Sequence, residues 1–391
     1  MTLEVALRHR FPGFALDATF EAPSGVTALF GRSGAGKSTV VAAVAGLMRP
    51  EHGRVVAGGR VLLDTAAGVE VACHRRRLGL VFQEPRLFPH LSVRRNLGFG
   101  AWFAPRLAQA ARRAEFDRTV AMLGIEPLLQ RMPHRLSGGE QARVAIGRAL
   151  LARPAMLLMD EPLASLDDAR KAEILPWIER LRDEAGVPIL YVSHALAEIA
   201  RLATTIVALD AGRVARAGPA AEVLADPDSF PLMGRQEAGA ILAARVVAHE
   251  ADGLTRLDVA AGPVLVPRVE APAGATLRLR IRARDIILAQ APPQGISALN
   301  ALPVTVTRVA ASDGAMVEVG LDAAGERLLA RITQRSAAQM GLAPGLGCYA
   351  VVKAIAVGRR DLGAASGPQP AAGATAAPPP ERGSDTGTTE L

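Results

Sequence analysis

The chain has 391 residues, half of them hydrophobic, which excludes a disordered or miniature protein and supplies material for two or three cored domains. Lys and Arg number 45 against 38 Asp and Glu, a net +7 that is too mild for a nucleic-acid signature, so no nucleic-acid partner is expected. Two cysteines without metal-ligand spacing, Cys73 and Cys348, point to a reducing compartment, and the lack of a signal-like start or an unbroken run of 18 apolar residues predicts a soluble chain whose membrane role comes through a partner.

In chain order, Leu3, Val5 and Leu7 alternate as one face of a strand and residues 14–20 suggest a second, so the chain opens as a hairpin. Phe11 between them either stacks on a purine ring or joins the core. Residues 31–38 read GRSGAGKS, set between the apolar run 26–30 and the helix-prone 39–48. Gly, four residues, then Gly-Lys-Ser is the pattern of a phosphate-binding loop. Backbone N–H groups of Gly31, Arg32, Ser33, Gly34, Ala35 and Gly36 wrap nucleotide phosphates, Lys37 reaches the terminal ones, and the Ser38 hydroxyl ligates Mg²⁺. Thr39 completes the set where the helix contributes its positive end.

Residues 78–82 form a short apolar strand with Gln83 at its carboxyl end, where a side-chain amide meets Mg²⁺ or water. Arginines at 75–77, 94–95 and 112–113 face either an anionic partner or solvent. From 87 to 136 the apolar spacing turns helical, as at Phe116, Val120, Leu123 and Leu128, suggesting a helical insertion in an α/β core. Ser137 and Glu140 then have the spacing of a capping box, placing a helix start at Ser137 with Gly138 and Gly139 exposing N–H donors to a second phosphate contact. Residues 155–159 are wholly apolar and end in Asp160 and Glu161, as in a parallel strand buried on both faces. Asp160 would hold Mg²⁺ and Glu161 would orient and deprotonate water; the plainer alternative is two solvent-facing acids. Residues 189–192 repeat the arrangement with Ser193 and His194 at the tip, where a histidine either senses a γ-phosphate or is structural.

With these pieces in order, together with Ser165, Leu166 and Asp167, the chain resembles the ATP-binding subunits of ABC transporters over roughly residues 1–235. The resemblance implies that Leu136, Ser137, Gly138, Gly139, Glu140 and Gln141 are the signature motif, which binds ATP held by the other subunit. It implies a head-to-tail homodimer, with 165–167 crossing the interface and Gln83 coupling nucleotide state to a membrane permease. The adenine-stacking aromatic is commonly Tyr in that family, and Phe11 is the candidate here.

Residues 240–354 carry alternating β-branched runs punctuated by turns, giving small β-barrels of the OB type, two or one divided. Within them SALNAL at 297–302 and MGLAPGLGCYAVVK at 340–353 resemble the Mop or TOBE-type oxyanion-binding barrel of molybdate importer ATPases, as do 79–97, 123–129 and 281–289 the segments of that family. The expected architecture is therefore an α/β ABC ATPase over 1–235 with a helical subdomain at about 87–136. A linker with accessory strands at 236–290, an all-β barrel at 291–360 and a disordered tail at 361–391 would follow.

A tetrahedral oxyanion needs hydroxyl, amide and cationic donors, and Ser297, Asn300 and Lys353 supply them if their strands adjoin. Leu299 and Ile355 stand where oxyanion-binding members often carry Arg and a hydroxyl residue, so a barrel that keeps only the fold is the alternative. The resemblance implies a peripheral ATPase on the cytoplasmic face of the membrane, using ATP and Mg²⁺ with molybdate as a regulatory ligand. Its permease would be served by an extracytoplasmic molybdate-binding protein. Import of tungstate, sulfate or iron, or a soluble ABC ATPase without a permease, are the rival readings.

Overall fold

The computed structural model describes residues 2–103, 107–226, 238–311, 314–358 and 361–364. The expected boundary at 235/236 and the tail from 365 onward lie outside the described residues. Among the described residues, no helix is long and apolar enough to cross a membrane.

The first unit is built on an eleven-stranded sheet. Its parallel part runs, in spatial order, β10 (Thr205–Asp210), β3 (Val26–Gly31), β9 (Ile189–Val192), β8 (Met156–Asp160) and β7 (Leu78–Val81). Residues in β3, β9 and most of β8 are buried in unbroken runs, because helices cover both faces of the sheet. On one face α1 (Lys37–Ala45) places Val40 and Val44 against Leu29, Leu158 and Leu190. On the other, Ile178 and Leu181 of α5 (Asp168–Glu184) pack with Leu157, Met159 and Tyr191. The opening hairpin β1 (Leu3–Phe11) and β2 (Phe14–Ala22) extends the sheet antiparallel, followed outward by β4 (His52–Ala57), β5 (Arg60–Asp64) and β6 (Val69–Glu70). β11 (Arg213–Pro219) stitches the two parts together between β10 and β2.

Register decides where the chemistry sits. Leu29 pairs with Val192, Val192 with Asp160 and Met159 with Val81, so β3, β9, β8 and β7 end at one height and release their loops on one edge. In open α/β sheets that carboxyl edge is where ligands bind. The helical insertion consists of α2 (Val93–Phe103), α3 (Gln109–Leu123) and the start of α4 (Gly138–Leu151). Two shorter helices, α6 (Leu196–Leu202) and α7 (Ala220–Ala225), complete this unit.

The C-terminal part is two five-stranded antiparallel sheets sharing one hydrophobic cluster. The first contains β12 (Gly239–His249), β13 (Leu254–Val259), β14 (Gly262–Pro267) and β15 (Thr276–Arg282). The second contains β16 (Ile287–Ala289), β17 (Asn300–Ala311), β18 (Met316–Ala323), β19 (Glu326–Thr333) and β20 (Gly347–Val352). A helix, α8 (Gln334–Gln339), joins the last two. The segment expected as linker and accessory strands thus supplies nearly the whole first sheet, and β16 crosses to the second.

One expectation is corrected outright. The expected disordered tail does not begin at 361, because β21 (Leu362–Ala364) pairs with β15 and completes the first sheet. Its order comes from distant partners. Arg182 donates to the Ala364 carbonyl at 3.0 Å and the Ala364 N–H donates to Glu179 at 3.1 Å, both residues belonging to α5 of the first unit. Beside them Arg278 of β15 donates to the Ala203 carbonyl at 2.7 Å; burial, then the nearby Arg182 charge, brings its guanidinium down to about 10.

Candidate active site

The loop leaving β3 turns through Gly34 and Gly36, both in the left-handed region at φ 80° and 99°. Gly36 is further constrained because a Cβ there would stand 2.9 Å from the Phe14 ring. Lys37 is buried and donates to the carbonyls of Gly31 and Arg32 at 2.8 and 2.9 Å. Burial lowers its ammonium pKa, opposed by the charges of Glu161 and Asp160. A desolvated ammonium at the base of a glycine-rich turn is a strong anchor for a polyphosphate.

Ser38 and Asp160, 122 residues apart in sequence, meet at 3.2 Å because α1 starts where β8 ends. Burial raises the Asp160 pKa, while the Ser38 hydrogen bond acts against it. A hydroxyl and a carboxylate, both hard oxygen donors, fit Mg²⁺, which takes one or two protein ligands and completes its shell with water and phosphate. Glu161 follows in a left-handed conformation, φ 48°, which costs a non-glycine residue about 1–2 kcal/mol. The strain is held by its own N–H on the Val192 carbonyl at 3.0 Å and by the Ala164 N–H on its carbonyl at 3.1 Å. Turned this way, its Oε2 lies 3.2 Å from Nδ1 of His194. Gln83 is exposed, two residues past Val81 at the end of β7.

Phe11 ends β1 opposite Phe14, is 36 % exposed, and lies edge-on to His9 with centroids 4.4 Å apart. The role of packing beneath the phosphate loop therefore falls to Phe14, and Phe11 remains an open aromatic face beside it.

The second glycine pair forms as its spacing implies. Ser137 caps α4 with a complete capping box: Ser137 N–H to Glu140 Oε2 at 2.7 Å and Glu140 N–H to Ser137 Oγ at 3.3 Å. Gln141 closes the preceding turn on the carbonyls of Pro133 and Leu136. Gly138 and Gly139 touch Leu166 and Ile174, so a Cβ at either would fall within 2.8–2.9 Å of those side chains. Leu166 is buried there, Ser165 is exposed, and Asp167 caps α5 by accepting the Arg170 N–H at 2.9 Å. The loop 165–167 and the signature turn are thus one surface.

Of the three oxyanion candidates, Asn300 lies opposite Val352, the residue before Lys353, and its side chain is engaged with the backbone. Asn300 is 2 % exposed, and its amide makes two bonds to the backbone of Leu265: Oδ1 accepts the N–H at 2.7 Å and Nδ2 donates to the carbonyl at 2.9 Å. Its role is to join β17 to β14. Lys353, next to Val352 that pairs with Asn300, is exposed, as is Ser297.

Other residues that shape the site carry no local signal in the sequence. Arg148 of α4 donates to the carbonyls of Arg86 and Pro85 at 2.9 and 3.1 Å and lies over the Phe88 ring. Asn96, fully buried, accepts the Phe88 N–H and donates to Phe88, Leu91 and Ser92. Together they hold the loop that follows Gln83. An invariant spacing would not expose them, because both act through main-chain atoms of a loop.

Comparison with known proteins follows the same division. The ABC transporter family matches residues 17–164 and the TOBE domain residues 296–357. A molybdenum import ATP-binding protein of Mesorhizobium japonicum is 52 % identical over 365 residues, covering 93 % of this chain and 98 % of its own. That of Rhizobium meliloti is 52 % identical over 359 residues, covering 91 % and 99 %. Among solved structures, the cbiO1 subunit of a Clostridium perfringens ABC transporter complex is 28 % identical with a TM-score of 0.51, covering 58 % of this chain and 91 % of its own. The chain belongs to the family of molybdenum import ATP-binding proteins, which pair an ABC-type ATPase with a C-terminal TOBE domain.

Proposed function

We propose that this chain is the ATP-hydrolysing subunit of a molybdate importer, working as a pair of copies on the cytoplasmic face of a membrane permease that an extracytoplasmic molybdate-binding protein supplies. The observation that carries the ATPase reading is the carboxyl edge of the parallel sheet, where Lys37, the Ser38 and Asp160 pair, and the Glu161 and His194 pair end at one height.

Lys37 and the loop N–H groups neutralise the terminal phosphates. Ser38 and Asp160 would hold Mg²⁺, with Gln83 beside them, and the ion would add charge neutralisation on the phosphate oxygens. Glu161 takes a proton from the attacking water, and His194 donates to the γ-phosphate. The described partners of the signature turn are Arg131, Pro133, Leu166 and Ile174, none in the loop 31–39, which favours its donors meeting a nucleotide held by a second copy. Phe11 is the aromatic offered to adenine.

Uptake of labelled molybdate by cells with and without the protein tests the reading. Loss of uptake without it is expected; unchanged molybdate uptake with lost sulfate or iron uptake would reassign the cargo, and co-isolation with ribosomes in place of a permease would remove the transport role. For the barrel, the pairing of Asn300 with Leu265 favours a structural part over an oxyanion sensor. Calorimetry of molybdate on the full chain is expected to give no heat that depends on Ser297 or Lys353.

A further inference from the structure

Glu198, on α6 and 4 % exposed, has no part in the chemistry above, yet it gathers three side chains. Its Oε1 receives Lys171 Nζ at 2.9 Å, and its Oε2 accepts from the Tyr191 hydroxyl at 2.8 Å and the Ser193 hydroxyl at 2.9 Å. Ser193 Oγ in turn accepts the Ala195 N–H at 3.0 Å, so the hydroxyl brackets His194 from both sides in sequence. Tyr191 is fully buried and stays protonated: burial first, then the Glu198 charge, push its pKa well above the usual value.

The other end of the cluster leads to the interface loop. Lys171 lies in the first turn of α5, its N–H on the carbonyl of Asp167, and Asp167 ends the loop that begins at Ser165, whose outer residues Ser165 and Asp167 are exposed while Leu166 is buried. A buried carboxylate held by one cation and two hydroxyls is costly to disturb piecemeal, because loss of any partner leaves a charge or a polar group unpaired.

We propose that Glu198 is a positioning residue that couples the loop 165–167 to His194. Docking of a second copy on that loop shifts the first turn of α5. Lys171 carries Glu198, and Glu198 carries Ser193 with the backbone of His194. The imidazole then leaves Glu161, freeing the carboxylate for water only when the partner is in place. This rests on the role given to His194 above, and its signature is an energetic coupling between Glu198 and His194.

The full chain is assayed for steady-state ATP hydrolysis and thermal unfolding as Glu198→Gln, His194→Ala and the double variant. Glu198→Gln is expected to lower kcat by about tenfold or more with KM for ATP within about twofold, and to add less than about twofold in the His194→Ala background. Losses that multiply in the double variant, a wild-type kcat in Glu198→Gln, or a loss that tracks KM or Tm overturn the proposal. Should Glu198→Gln fail to fold, Ser193→Ala removes one contact of the cluster and is held to the same non-additivity. Lys171→Arg should retain kcat where Lys171→Met loses it. A wild-type kcat in His194→Ala alone refutes the role of His194, whereas a defect there with a normal Glu198→Gln refutes only the coupling.

Discussion

Nδ1 of His194 stands 3.2 Å from Oε2 of Glu161, joining the loops of two neighbouring parallel strands. On the proposed mechanism the contact gives the carboxylate a partner while no water is being activated, and it sets Nδ1 as the imidazole nitrogen that faces Glu161. Glu161→Gln preserves the shape and the hydrogen bond but removes the base. It should bind ATP with unchanged affinity, hydrolyse it about 10²–10⁴-fold more slowly, and accumulate as an ATP-bound dimer on size-exclusion chromatography. Turnover near the wild-type rate would remove Glu161 from its assigned role.

Gly138 touches Leu166 closely, so an added methyl would stand 2.8 Å from Leu166 Cδ2, the movable end of a side chain. Gly138→Ala should therefore fold with little change in Tm. The methyl stands among the N–H donors at the head of α4, where the proposed function brings the partner's nucleotide. Nucleotide binding to the chain's own phosphate loop should persist, while kcat falls by about tenfold or more and ATP-driven dimer formation weakens. Equal losses of binding and turnover would argue against separate sites.

The motifs that survive translation from sequence to structure are local ones. Gly31 to Ser38, the Ser137 and Glu140 box and the acids after β8 each need only a few neighbouring residues to form, so spacing carries them. The pieces that escaped depend on residues far apart in the chain. Arg148 holds a carbonyl 63 residues away, and Asn300 pairs with a backbone 35 residues distant, a strand tie that spacing alone does not reveal. β21 is three residues long, too short for any periodicity to reveal, and is ordered by α5.

Burial raises the Asp160 pKa above that of an ordinary carboxylate, so the ionised form is disfavoured in the folded protein without nucleotide. The folded state then binds more protons than the unfolded one between the unfolded and folded values, and stability falls as pH rises through that window. Asp160→Asn should raise Tm at neutral pH, and the gain should vanish as pH drops below the folded pKa. ATPase activity should be lost at every pH, since the neutral amide lacks the carboxylate charge proposed to hold Mg²⁺. Scanning calorimetry between pH 4 and pH 8, values chosen to span about the ordinary carboxylate range upward, checks the sign; a stabilisation that grows on acidification would reverse it.

Arg148 anchors the loop after Gln83 to the signature helix through two carbonyls, and burial lowers its guanidinium pKa. Arg148→Leu leaves those carbonyls without their donor and should cost about 1–3 kcal/mol of stability. Because Gln83 is the expected contact to the permease side, the larger effect should fall on coupling. ATP hydrolysis by the isolated chain is expected to persist while stimulation by permease in vesicles drops. Arg148→Lys should not restore it, as an ammonium cannot fork to two carbonyls in the same geometry.

The strand β21 closes the C-terminal unit against the ATPase through main-chain bonds to Arg182 and Glu179, and Glu179 is itself held by Arg201 at 2.7 and 2.9 Å. Gly363 sits where this seam is tightest: a Cβ there would lie 2.7 Å from Arg201 Cγ and 2.9 Å from Glu179 Oε1. Gly363→Val must either displace the Arg201 and Glu179 pair or lift the strand. Both leave buried charge with fewer partners, which is more costly than the loss of one sheet hydrogen bond. The variant should unfold in two calorimetric steps, with the C-terminal unit melting first, while ATP affinity at the distant carboxyl edge stays unchanged. Deleting residues 362–391 should reproduce the split without the steric clash, and a single transition at the wild-type temperature in both would show that the seam does not join the two units.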